Sequence, residues 1–154
     1  MVNTAKIQVL NRQRKLACNI AWLRRLAPVA LGHCLAAPKR RGAVLAQLPE
    51  VVITLVSDAK IARVHLDFMG IPGATDVITF HHGEIIISVE TAAANAARFR
   101  RPLDEEIALY IVHGLLHLQG YLDKRDADAA QMRRTQAAIL RKCLTNFDPP
   151  KVRR

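Results

Sequence analysis

The sequence predicts an α+β fold in one domain: a small mixed sheet of about four strands with about five helices around it. Three observations carry this. Short β-branched runs at Glu50–Val56, Asp76–Phe80 and Glu84–Ser88 read as strands. Longer stretches with apolar residues three and four apart come between and after them. The 154 residues are 51% hydrophobic and 23% charged, which is globular and long enough for a core.

Taken in order, Lys6–Asn11 alternates polar and apolar residues and reads as the first strand. From about Arg12 to Ala37, Leu16, Ile20, Leu23, Leu26 and Ala27 recur at helical spacing, and Pro28 is expected to kink or end that helix. Trp22 belongs to the core or to a groove wall. Residues 38–42 form a basic loop. After the strand Glu50–Val56, Ser57 is a good N-cap and Asp58 a favourable first-turn charge for a helix through about Phe68. Gly70, Pro72 and Gly73 make a loop. Strands Asp76–Phe80 and Glu84–Ser88 are joined by a hairpin at His81-His82-Gly83. Val89–Phe99 is an Ala-rich helix, broken at residues 100–102. Leu103–Leu118 is a helix apolar around much of its circumference, hence buried, with Asp104, Glu105 and Glu106 at its positive end. Asp126 caps a last helix, about Ala127–Leu144. Residues 1–145 form the domain, and 146–154 a loose basic tail.

The formal net charge is +10, with positive residues in clusters: Arg24-Arg25, Lys39-Arg40-Arg41, Arg98 with Arg100-Arg101, Lys124-Arg125, Arg133-Arg134 and Arg141-Lys142. Such a surface attracts polyanions, and nucleic acid is the natural partner. Aromatics are only 5%, which argues against a base-stacking platform. Cys18, Cys34 and Cys143 are odd in number and form no CxxC pair, as expected of reduced thiols in a cytoplasmic protein. No signal peptide and no membrane span are read in the chain.

The stretch His113-Gly-Leu-Leu-His117-Leu-Gln-Gly120-Tyr-Leu-Asp123 carries the chemistry. Histidines four residues apart share a helix face. Two imidazoles on a buried helix are costly without partners, and one divalent ion satisfies both. Gly120 can end the helix and turn the chain back, so Asp123 becomes a candidate third ligand, with Asp126 as its rival. Three protein ligands with a fourth position left to water describe a catalytic zinc site, one ion per chain; nickel, manganese and iron stay open. Position 114 is glycine, where HExxH peptidases carry their general base, so peptide hydrolysis becomes a minor reading.

His113-Gly-Leu-Leu-His117-Leu-Gln-Gly120-Tyr121 resembles the HGxLHLxGY signature of the YbeY family of bacterial endoribonucleases. Residues 74–80 (ATDVITF) resemble its PTDVLSF segment, Gly83–Ser88 its GDIxIS strand, and residues 129–132 (AAQM) its EAxxM. The likeness spans about residues 50–140 in family order. It implies an α+β fold with the metal helix against a small mixed sheet. It also implies a zinc-dependent, single-strand-specific endoribonuclease in rRNA maturation, trimming the 16S rRNA 3′ end and serving ribosome quality control. The implied partners are rRNA, the small ribosomal subunit and its proteins, and an Era-type GTPase. Two departures stand out. Asp123 occupies the place of a third histidine, and Met69 that of an arginine suited to gripping phosphate. Arg63, one or two turns earlier, is the candidate substitute. Thr75, Asp76, Lys124 and Arg125 are further candidate RNA contacts. His65, His81 and His82 are left as exposed residues or proton-transfer groups. The competing functions are a non-catalytic, metal-containing ribosome-assembly factor that binds rRNA, and a metal hydrolase for a small molecule or peptide.

Overall fold

A computed structural model describes residues 5–145. The expected basic tail, 146–154, lies outside them. The elements run β1 (Lys6–Asn11), α1 (Ile20–Ala36), β2 (Glu50–Val56), α2 (Asp58–Met69), β3 (Val77–Phe80), β4 (Glu84–Ser88), α3 (Val89–Arg98), α4 (Leu103–Leu118) and α5 (Asp126–Thr145), with one 3-10 turn at Leu45–Gln47. The sheet order is β1-β2-β4-β3. β1, β2 and β4 are parallel, and β3 runs antiparallel to β4. The sheet is therefore mixed and the fold α+β.

Alternation along the strands sorts two faces. Val9, Val51, Ile53, Leu55, Ile85 and Ile87 point into the main core with α1, α3, α4 and α5. Val56 and Ile78 point the other way, where Ile61 of α2 covers them. α4 is the central helix: Ile107, Ala108, Ile111, Val112, Leu115, Leu116 and Leu118 are all fully buried. It packs against α1, α3, α5, β3 and β4.

Three expectations are corrected. α1 begins at Ile20, not near Arg12. The Gln13 side chain satisfies the backbone there instead: Oε1 accepts from the amides of Lys15 and Leu16, and Nε2 donates to the Leu16 carbonyl. Leu16, expected on the apolar stripe, is exposed. The helix starts where Asn19 Oδ1 accepts from Trp22 N. Pro28 does not end α1, which continues to Ala36. Pro28 and Arg24, whose carbonyl loses its partner, both lie on the exposed face, where solvent can replace the lost bond. Asp126 is the first helical residue of α5, not its cap, and its charge still suits that helix end.

The hairpin at His81-His82-Gly83 forms as the spacing predicts, closed by Gly83 N to the Phe80 carbonyl at 2.9 Å. Ser57 caps α2 through Lys60 N, and Ser88 caps α3 through Thr91 N. Asp58 Oδ1 accepts from the Thr91 and Ser88 hydroxyls, so the starts of α2 and α3 are tied together at the ends of β2 and β4. Among the described residues no helix is long and apolar enough to cross a membrane.

Candidate metal centre and its cleft

α4 brings His113 and His117 to one side, and the turn after it does the rest. Gly120 takes φ +97°, Gly120 N bonds the His117 carbonyl at 3.0 Å, and Tyr121 N bonds the Leu116 carbonyl at 2.9 Å. This pair of bonds is the Schellman ending, which calls for a left-handed residue at Gly120's position. A Cβ there would also stand 2.7 Å from the Arg40 carbonyl. The loop after α1 is laced to the same turn by Arg40 N to the Gln119 carbonyl and Val44 N to the Leu118 carbonyl. Gln119, fully buried, donates to the Ala37 carbonyl at 3.0 Å. The turn that delivers Asp123 is thus fixed from both sides.

His113, His117 and Asp123 converge, with one potential ligand atom from each within 4.8 Å of the others. Nε2 to Nε2 is 3.0 Å, and Asp123 Oδ2 is 3.3 Å from each Nε2. Bonds of about 2.0–2.1 Å to a tetrahedral zinc would separate neighbouring ligand atoms by roughly 3.3 Å, so the triangle has the right size. The tautomers agree. His117 Nδ1 is 2.9 Å from the Tyr121 carbonyl, which only accepts, so Nδ1 carries the proton and Nε2 a lone pair. His113 Nδ1 donates to Gln136 Oε1 at 2.7 Å, leaving its Nε2 equally bare. Two lone pairs and a carboxylate aimed at one point repel one another unless a cation lies between them. Burial, and then the neighbouring His113, hold the His117 pKa below its ordinary value, which favours the neutral, ligating form. The donor set therefore fits a divalent metal.

Asp126 is not among the converging groups. Around the triangle lies a cleft of about 450 Å³, lined also by His65, Met69, Thr75, Asp76, Thr79, His81, Leu122 and Lys124. His65 Nδ1 donates to the Gly73 carbonyl at 3.0 Å, which leaves its Nε2 as a proton acceptor. Asp76 Oδ1 accepts from Val77 N at 2.7 Å and shapes the loop at the cleft edge. Arg63 and Arg125 are exposed and do not line the cleft; Met69 does. His82 pairs with Glu84 at 2.9 Å, away from it. Gln136 and the Tyr121 carbonyl, which set the two tautomers, went unread in the sequence. Gln136 is on α5, and no local pattern marks a side chain that reaches across to a histidine 23 positions earlier.

Gly114 gains a structural reason. A Cβ at this position would stand 2.9 Å from both Cδ1 and Cγ2 of Ile85. No glutamate fits there, so the HExxH arrangement is sterically closed to this chain.

Fold and cluster together define an α+β protein with a His-His-Asp group built on one buried helix and the turn that ends it. The chain belongs to the endoribonuclease YbeY family: the profile described as Endoribonuclease YbeY matches residues 8–144. It is 38% identical over 102 residues to the Endoribonuclease YbeY of an Anaeromyxobacter species, covering 60% of this chain and 53% of that one. It is 37% identical over 109 residues to the Desulfitobacterium hafniense relative of the same name, covering 59% of this chain and 69% of that one. The matched region thus spans about half the length of the first relative and just over two thirds of the second. The solution structure of TM1509 from Thermotoga maritima has a similar fold, with TM-score 0.61 over 96% of this chain and 99% of that one, at 22% identity.

Proposed function

We propose that this protein is a metal-dependent endoribonuclease that hydrolyses single-stranded RNA during rRNA maturation. The observation that carries it is the convergence of two histidine Nε2 atoms and a carboxylate in the lining of a cleft, in a chain of this family with net charge +10. His113, His117 and Asp123 hold the metal, zinc being the ion their chemistry suits best. When bound, such an ion supplies Lewis acidity for phosphodiester hydrolysis. Lys124 and the Thr75 hydroxyl, both on the cleft wall, orient the phosphate. His65, its Nδ1 anchored on Gly73, holds or releases a proton at Nε2, and His81 is a second candidate.

The family resemblance extends the proposal to the 16S rRNA 3′ end, ribosome quality control, the small ribosomal subunit, an Era-type GTPase and the cytoplasm. The deciding experiment is metal analysis of the purified protein beside a chelator-controlled cleavage assay on single-stranded RNA. About one ion per chain, with cleavage lost on chelation and in His113→Ala and His117→Ala, is the expected result. Cleavage that survives both substitutions would sink the proposal. A second reading, a non-catalytic assembly factor, is favoured by Met69 lining the cleft where an arginine would grip phosphate. Strong cleavage by Met69→Arg from a wild type with none would select that reading.

A further inference from the structure

A second groove, of about 760 Å³, lies between the α3–α4 connection and α5. It has no part in the cleft just described. Its cations are Arg100, Arg101, Arg133 and Arg141, all arginine, and Glu105 is its one acid. Arginine's planar fork binds phosphate bidentately, where lysine offers only a point charge. Leu109, Leu140 and Leu144 supply an apolar floor, and Phe99 at the rim is 62% exposed. Arg133 and Arg141 are two stations on one face of α5, eight residues or about 12 Å apart. Arg101 is steadied by Glu106 through Nε at 3.6 Å.

Arg100 adds an independent sign. α3 ends with the same pair of bonds as α4: Arg101 N to the Ala96 carbonyl and Arg100 N to the Ala97 carbonyl. At the position where α4 has Gly120, α3 has Arg100, at φ +54°. A residue with a Cβ held left-handed where glycine is easiest points to a use for its side chain.

We propose that this groove is a second contact for the single-stranded RNA substrate, holding its phosphates on the four arginines and one base against Phe99. It rests on the RNA reading of the cleft. Charge selects the occupant: four arginines, Arg101 among them paired with Glu106, against one glutamate on the groove wall match a polyanion. The chain's own residues 146–154 carry Lys151, Arg153 and Arg154 against Asp148 and do not match. Gln136 links the two sites without lining the cleft. It lines the groove, while its Oε1 accepts from His113, whose Nε2 belongs to the metal triangle.

The test compares the full chain with a triple variant, Arg100→Gly, Arg133→Ala and Arg141→Ala. A control loses the same charge elsewhere: Arg12→Ala, Arg14→Ala and Lys15→Ala, all exposed. The probe is a labelled single-stranded oligoribonucleotide titrated at several salt concentrations. The groove variant should bind about tenfold or more weakly, with a salt slope lower by about 2, as three lost phosphate contacts require. The control should change far less. Thermal stability should hold or rise, because glycine relieves position 100, and zinc content should be unchanged. Wild-type RNA binding matched by the groove variant would overturn this proposal and leave the cleft reading standing. A wild type that binds no RNA would overturn both. An acidic peptide whose binding is lost in the variant, while RNA binding is not, would assign the groove to a protein partner and overturn the proposal.

Discussion

Nε2 of His113 and Nε2 of His117 lie 3.0 Å apart, and neither ring is free to turn away, because each Nδ1 is held by an acceptor. This opposition of lone pairs is a local cost in the apo protein that a cation removes. Zinc should therefore stabilise the fold by mass action. At about a thousand times Kd the gain is about 4 kcal/mol, a rise in Tm of roughly 10 °C for a chain of this size. Differential scanning calorimetry with and without zinc would read it. His117→Ala should remove most of the shift, and Asp123→Asn part of it. An equal shift in all three proteins would place the metal elsewhere.

Gln136 should act on the metal without touching it. Its Oε1 fixes the His113 tautomer and ring plane from α5. Loss of such an outer partner typically weakens metal binding about 10–100-fold. Gln136→Leu should do so in a competition titration against a chromophoric chelator. Gln136→Glu, which keeps an acceptor, should bind at least as tightly as wild type. A leucine variant that binds as tightly as the wild type would show that the histidine needs no such support.

The convergence of His113, His117 and Asp123 was legible because its parts are local. A four-residue spacing, a helix-ending glycine and a carboxylate three residues on are all set by backbone geometry near one point in the chain. The strands were legible for the same reason, since Val51, Ile53 and Leu55 alternate with residues of the other face. What escaped was decided by contacts distant in sequence or by rival local bonds. Gln136 reaches His113 across a helix interface, and Gln13 captures the amides that a longer α1 would have used. Arg63 illustrates a further limit. A sequence can say which turn of α2 it occupies, but only packing shows that it is exposed and absent from the lining of the cleft that Met69 helps form.

The buried thiols set an alkaline limit to stability. Burial pushes Cys18 and Cys143 up to about 11 from an ordinary 9.0, and raises Tyr110 as well. The folded state therefore keeps protons that the unfolded chain releases. Stability from these groups is fully present below about pH 9 and is lost as pH rises from about 9 toward 11. The urea midpoint should be level from about pH 7 to 8 and then fall. Cys18→Ala with Cys143→Ala should lessen that fall without abolishing it, because burial also raises Cys34 and Tyr110. The native thiols should also resist alkylation near neutral pH, since thiolate is the reactive form. A midpoint that rises across the same range would reverse the sign and refute this account.

Gly114 and Ile85 set how closely α4 approaches β4, and hence how deep the two histidines sit. Substituting alanine at Gly114 has two opposed effects. Helix propensity favours it by about 1 kcal/mol. Overpacking opposes it by about 1–3 kcal/mol, here toward the upper end. The added Cβ meets not only the flexible Cδ1 of Ile85 but also Cγ2 at 2.9 Å and Cγ1 at 3.1 Å, on a stiff β-branched side chain with no exposed surface. Overpacking should win by about 1–2 kcal/mol, a fall in Tm of roughly 3–6 °C. Ile85→Ala removes all three obstructing atoms at its own cost of about 2–5 kcal/mol. In that background Gly114→Ala should become neutral or stabilising, because only the propensity term survives. The coupling in a double-mutant cycle is thus expected to equal the overpacking term and to exceed the net effect of Gly114→Ala in the wild-type background. If Gly114→Ala stabilises the otherwise wild-type protein, the close approach of α4 to β4 is not what excludes a side chain there. The steric exclusion of an HExxH glutamate would then fall with it.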